Sequence, residues 1–145
     1  MLVDSKQKKL GVEPIIILGA EETDTDMPPA TIYTAVLVEI NQPNVTLFQE
    51  GNTIFIVHHK GPREGFFRAI NADTAKNYLE NSYTFIQAAH KYGYDVLYSE
   101  FSSPTILNIF KAISRNPPMP DMGYSVNKKD DGFEVTLTLG KPRED

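Results

Sequence analysis

Three groups of side chains in this 145-residue chain are of the types that do chemistry. The first is the adjacent pair His58-His59, with His90 further along. Neighbouring residues of a strand point to opposite faces, so His58 and His59 cannot share one metal ion. The second is the serine set Ser99, Ser102 and Ser103, which with His90 and Asp95 has the composition of a nucleophile, base and acid triad. No nucleophile-elbow sequence surrounds any of these serines, and strand ends and helix caps account for them. The third is a basic group around one turn, His59, Lys60, Arg63 and Arg68, able to meet a phosphate or an acidic surface but equally suited to a solvated turn. Asp24 and Asp26 belong to an acidic linker, Glu21 to Pro29, that reads as a solvated loop, so no metal site is expected. The chain has no cysteine, which excludes thiol catalysis, disulfides and cysteine-based zinc sites.

The elements that must position these groups follow from hydrophobic period and punctuation. Ile15-Ile16-Ile17-Leu18 reads as a short buried strand closed by Gly19. Ala30 to Ile40 reads as a helix opened by Pro28 and Pro29, with Ile32, Ala35, Val36 and Ile40 as its stripe. Its β-branched content leaves a strand as the alternative. Val45 to Gln49 and Thr53 to His59 flank Glu50-Gly51-Asn52 as a hairpin, and a second turn from Lys60 to Gly65 leads into a strand over Phe66 to Ile70.

A long helix follows, capped by the Asp73 carboxylate, with Ala75, Tyr78, Leu79, Ser82, Ile86 and Ala89 on one face and Gly93 as its stop. Val96 to Phe101 is a strand. Ser103 then caps a helix with Pro104 in its first turn and Ile106, Ile109, Phe110 and Ile113 facing the core, ended by Asn116-Pro117-Pro118. Gly123 to Val126 and Phe133 to Leu139 form a last hairpin turning near Asp130-Asp131-Gly132. The predicted class is α+β, in the order β-α-β-β-β-α-β-α-β-β, with a mixed, mainly antiparallel sheet flanked by helices. A polar arm over 1–14, a single domain over 15–140 and a charged tail over 141–145 complete the organisation.

The net charge of -5 argues against partners that reward a basic face, so neither nucleic acid nor an anionic membrane is expected. No signal peptide is visible, and no stretch approaches the ~20 apolar residues that span a bilayer. Tyrosines such as Tyr94 beside the proline-rich loop Pro117, Pro118, Met119 and Pro120 would make a protein-binding patch.

This order of elements resembles that of the GNAT N-acetyltransferases over about residues 12 to 140, minus one N-terminal helix. Ser103 to Phe110 followed by Gly123-Tyr124 resembles the family's closing pattern, a polar cap on the penultimate helix and a Gly-aromatic pair opening the next strand. Asn71-Ala72-Asp73-Thr74-Ala75, Asn77-Tyr78-Leu79-Glu80-Asn81-Ser82 and Leu107-Asn108-Ile109-Phe110-Lys111 are similar in wording to acyltransferase-like proteins of tailed bacteriophages, those of marine and cyanobacterial hosts above all.

The resemblance implies acetyl-CoA held by a loop of the form Gln/Arg-x-x-Gly-x-Gly/Ala, whose bare backbone and free helix-start N–H groups bind the pyrophosphate. This chain has no glycine between Phe66 and Lys91, and Asp73 lies where the pyrophosphate would sit. Like charges ~4 Å apart at an effective dielectric of about 20 repel by roughly 4 kcal/mol, on the order of a thousandfold in affinity. The family also takes a tyrosine from the penultimate helix as acid toward the CoA thiolate, and the seventh residue after Ser103 is Phe110.

Both departures lead to one expectation: a non-catalytic, acyltransferase-like domain without cofactor. It would act by protein contacts as a phage virion or assembly component, in the virion or the host cytoplasm, with virion proteins or a second copy as partners. The alternative is an active, CoA-dependent N-acetyltransferase with an altered pyrophosphate loop. There Phe67, Ala69, Asn71 and Asp73 would bind acetyl-CoA, with Glu100 as base and Tyr124 as acid. An unrelated small α+β binding module is the third reading.

Overall fold

The computed structural model describes residues 29–119 and 121–139, which form one sheet with helices on both faces. The strand expected over Ile15 to Leu18, the arm and the charged tail lie outside the described residues. Helix α1 covers Pro29–Ile40, and strands β1 (Val45–Glu50), β2 (Thr53–Gly61) and β3 (Glu64–Asn71) follow as an antiparallel meander. Helix α2 (Ala75–Tyr92) crosses over to β4 (Val96–Phe101), which pairs parallel to β3. Helix α3 (Pro104–Arg115) leads to the hairpin β5 (Gly123–Lys129) and β6 (Gly132–Thr138). The strand order is β1-β2-β3-β4-β6-β5, mixed and mainly antiparallel as expected.

The centre of the sheet is built where the sequence is apolar without interruption. Thr53 to Val57 are all buried, because α1 covers one face of β2 and α2 the other. On the first face Val36 and Ile40 of α1 pack on Val45, Leu47, Ile54 and Ile56. Ala35, expected in that stripe, is exposed. On the second face Phe85 of α2 stacks on Phe55 at 4.1 Å between ring centroids, and Phe48 meets it edge-on at 5.4 Å. Burying one such phenyl group contributes about 1.5–3 kcal/mol. Strand β6 alternates as its sequence demands, with Val135 and Leu137 buried and Thr138 exposed.

The terminal turns correct the expected caps. Thr74, not Asp73, caps α2: its Oγ1 accepts from the N–H of Asn77 at 3.2 Å. Asp73 is held instead by groups of the β1–β2 turn and of α2. Ser103 does occupy the N-cap of α3, yet its side chain makes no cap bond. Gly93, at φ 138, ends α2 by donating to the carbonyl of Ala89. The last hairpin is longer than read, because β5 runs to Lys129 opposite Gly132 and leaves a two-residue turn, Asp130-Asp131.

Candidate functional site

The start of α2 is the first place to look for ligand chemistry, since its N–H groups point away from the helix. Beside them, in the residues that lead into the helix, lies a polar network. The Asp73 carboxylate accepts from the backbone N–H of Asn52 and from the Asn81 amide, both at 2.9 Å. Asn81 also donates to Thr53 Oγ1 at 3.0 Å, and Thr53 donates to Asn71 Oδ1 at 2.7 Å. Asn71 closes the ring, accepting from the N–H of Asp73 and donating to its carbonyl. Gly51 makes the approach possible. Its φ is +55, and a Cβ there would stand 3.0 Å from both Asn81 and Asp73. The Asn52 N–H bond pulls the Asp73 carboxyl below its usual range, so the group is anionic at neutral pH.

The second feature is the seam between β3 and β4. Their parallel ladder joins Glu64, Gly65 and Phe66 to Val96, Leu97 and Tyr98 and stops there, although β3 continues to Asn71 and β4 to Phe101. On the helix-covered face, Phe110 of α3 stands against both strands. Its ring stacks on Phe101 at 5.2 Å and tilts against Phe67 at 6.2 Å. The space left between α2, α3 and the sheet is a cavity of about 10 Å³ bordered by Phe55, Phe67, Tyr78, Phe85 and Phe110, room for about one water. Phe67 itself is buried, and Ala69 is half-buried opposite Phe55.

Glu100 and Tyr124, the expected base and acid, do not meet. Directly paired residues share a face, so Tyr124, paired with Leu137, lies on the face of Leu97 and Phe101. Glu100 points to the other face, where Lys129 contacts it at 3.2 Å and Glu134 at 2.6 Å. The sheet therefore separates them. Tyr124 keeps one notable property: its hydroxyl is buried without a hydrogen-bond partner among the described residues, and burial raises its pKa. An open depression of about 710 Å³ at the end of β4 and the β5–β6 turn takes in Glu100, Phe101 and Lys129, but not Tyr124.

The other candidates resolve into structural roles. His90 Nε2 lies 4.0 Å from Asp95 Oδ1. Ser102 is seven residues along the strand from Asp95, on the order of 20 Å away, and Ser103 follows it, so no triad forms with either. Ser99, four residues along, is buried on the core face of β4. The basic group is divided: Arg63 pairs with Asp95 at 3.1 Å, Lys60 lies over the Phe66 ring, and Arg68 binds Glu39 of α1. His58 meets Glu39 at 2.6 Å while His59 meets Thr46 at 3.0 Å on the opposite face. Among the described residues no three His, Asp or Glu side chains converge as a metal site. Asp24 and Asp26 lie outside them.

Tyr94 is not a surface tyrosine. It is 1% exposed, donates to Thr46 Oγ1 at 3.2 Å, and packs over Gly65, where a Cβ would fall 3.0 Å from its ring. The proline loop is reached instead by Gln87, which donates to the Pro118 carbonyl at 3.3 Å. Pro117 is exposed, Pro118 and Met119 are half-buried, and Pro120 lies outside the described residues. The patch that joined Tyr94 to this loop is therefore not formed. Sequence reasoning missed the Glu39–Arg68–His58 cluster and the Thr53–Asn81–Asp73 network, whose members lie on separate elements.

No protein-family model matches the chain, and no curated protein matches it significantly. Solved structures do. Aminoglycoside 6'-acetyltransferase type Ii superposes with a TM-score of 0.59 at 8% identity, covering 99% of both chains. The ribosomal-protein-S18-alanine N-acetyltransferase of Escherichia coli gives 0.57 at 8% identity, covering 99% of this chain and 95% of that one. A domain from Methanocaldococcus jannaschii DSM 2661 gives 0.58 at 9% identity over 95% and 96%. The fold is that of the GNAT acetyltransferases. At such identities the likeness is one of fold alone.

Proposed function

We propose that this chain is a GNAT-fold protein that does not transfer acyl groups and works through contacts with other proteins. The observation that carries the reading is the start of α2, where Asp73, anionic and bonded to Asn52 and Asn81, sets a fixed negative charge two residues before the helix. A pyrophosphate would meet like charge there. Phe110 supports the same reading, because it fills the helix-covered side of the β3–β4 seam. The sequence resemblance to acyltransferase-like phage proteins supports a structural or assembly role in a virion, with exposed Pro117 as one contact point.

Two observations favour an acetyltransferase as the second reading. The β3–β4 ladder stops after three positions, and the Tyr124 hydroxyl is buried, protonated and unpartnered among the described residues. In that reading backbone at Phe67, Ala69, Asn71 and Asp73 would hold acetyl-CoA. Tyr124 would serve as acid, and Glu100 would need a different geometry to act as base. Calorimetric titration of acetyl-CoA at low salt separates the two. The first reading predicts no binding up to about 1 mM, roughly -4 kcal/mol. Micromolar binding would overturn it in favour of the enzyme.

A further inference from the structure

The β5–β6 turn contains a glycine that the fold requires, and an exposed aspartate stands directly before it. Asp130 and Asp131 make the turn. Arg63 is the one non-glycine with a positive φ among the described residues, so neither aspartate absorbs the bend. Gly132 absorbs it, at φ 155. A Cβ on Gly132 would also run into the Phe101 carbonyl oxygen and stand 3.2 Å from Ser102 Cα, so space demands glycine as well. Asp131 is exposed on the rim of the open depression at the end of β4. We propose that Asp131 is a covalent modification site, where the Asp131-Gly132 link converts to an isoaspartyl link. The site lies in the far half of the sheet and stands apart from the reading of the start of α2.

The conversion needs only water. The Gly132 backbone nitrogen attacks Asp131 Cγ and gives up its proton, and a carboxyl oxygen departs as water. The product is a cyclic succinimide, one water lighter than the chain. Water then reopens the ring. Attack at Cγ restores aspartate, whereas attack on the Asp131 main-chain carbonyl breaks its bond to Gly132 N and leaves the chain running through Cγ. A side chain on the following residue crowds the attacking nitrogen, so glycine favours this closure. The sequence has one Asp-Gly pair and no Asn-Gly pair. The other described aspartates are worse placed. Asp73 is held by Asn52 and Asn81 and precedes Thr74. Asp95 is held by Arg63 and precedes Val96, and both following residues are β-branched. Asp121 and Asp130 are exposed but precede Met122 and Asp131. The new link adds one backbone carbon to the turn, so Gly132 cannot keep both its pairing with Lys129 and its seat on Phe101.

The test is to age the full chain at neutral pH, in buffer and in urea, and map its peptides. Isoaspartate is read by an isoaspartyl methyltransferase and by resistance to a protease that cuts before aspartate. In buffer it should accumulate at Asp131 several-fold above Asp121 and Asp130, and the amide signals of Lys129 and Gly132 should double. Asp131→Glu, whose longer side chain closes a larger ring slowly, should melt like the parent and lose the signal. Isoaspartate confined to the urea sample overturns the proposal, because the folded hairpin then keeps Gly132 N from the carboxyl. So does equal accumulation at Asp121 and Asp131, or an Asp131→Glu chain that retains the signal. Amides that stay single in a modified chain would contradict the disturbed turn.

Discussion

Between β1 and β3 the sheet is covered on both faces, whereas β4, β6 and β5 bury one face and leave the other to charged side chains. Ile54, Ile56 and Val57 are fully buried in the first half, and its polar residues Thr53, Asn71 and Asp73 are bonded to one another and to Asn81. The second half has Glu100, Lys129 and Glu134 in an exposed ion-pair group and an exposed edge strand. The difference teaches where this fold has been committed. The polar side chains beside the start of α2 are spent on internal hydrogen bonds, and the exposed strand edge and ion pairs lie across the sheet at β5.

Substitutions can break that contrast in order of size. Phe110→Ala should be the largest, costing about 3–5 kcal/mol in urea unfolding, because the ring fills the space between Phe67 and Phe101. Val126→Ala, on the open half, should cost about 1 kcal/mol or less. Equal losses at the two positions would remove the distinction.

Asn81→Ala comes next, at about 1–3 kcal/mol, since it strips a donor from both the Asp73 carboxylate and the Thr53 hydroxyl. A shift in the urea midpoint at constant slope would show it, and an unchanged midpoint would mean that the network contributes nothing.

Acid should act through Glu39. Burial raises its pKa, and the hydrogen bonds from Arg68 and His58 more than offset this, so the folded carboxyl titrates below its ordinary value of 4.5. A depressed folded pKa stabilises above the unfolded value and is lost as pH falls through the folded one. The urea midpoint should therefore drop below about pH 4.5, and Glu39→Gln should flatten that drop. Least of all, Lys129→Ala should leave the melting temperature unchanged, because exposed ion pairs contribute little. A clear loss there would show that the open half depends on its charges.

Most of the described elements were legible in the sequence because each carried a local signal. The period of Ser82, Ile86 and Ala89 marks α2, and the alternation of Phe133, Val135 and Leu137 marks β6. What escaped was decided at a distance. Asp73 and Thr74 are both good cap residues, and the choice fell to Asn52, 21 positions earlier, which draws the carboxylate to the hairpin turn. Tyr94 looks like a surface tyrosine until the bare backbone at Gly65 gives its ring a seat. The separation of Glu100 from Tyr124 was implicit in strand parity, but it needed the β4–β6–β5 register to read it. Phe110 was legible as a core residue from helical spacing, but its contacts with Phe67 and Phe101 needed the fold.

The central claim is that the start of α2 is closed to anions. Its most direct test is to record the backbone amide spectrum of the ¹⁵N-labelled chain while coenzyme A is added to millimolar concentration. The account predicts that the N–H signals of Ala75, Lys76 and Asn77, and that of Asn52 on the Asp73 carboxylate, hold their positions. Saturable shifts at these amides, joined by Phe67 to Asn71 along the seam, would contradict it.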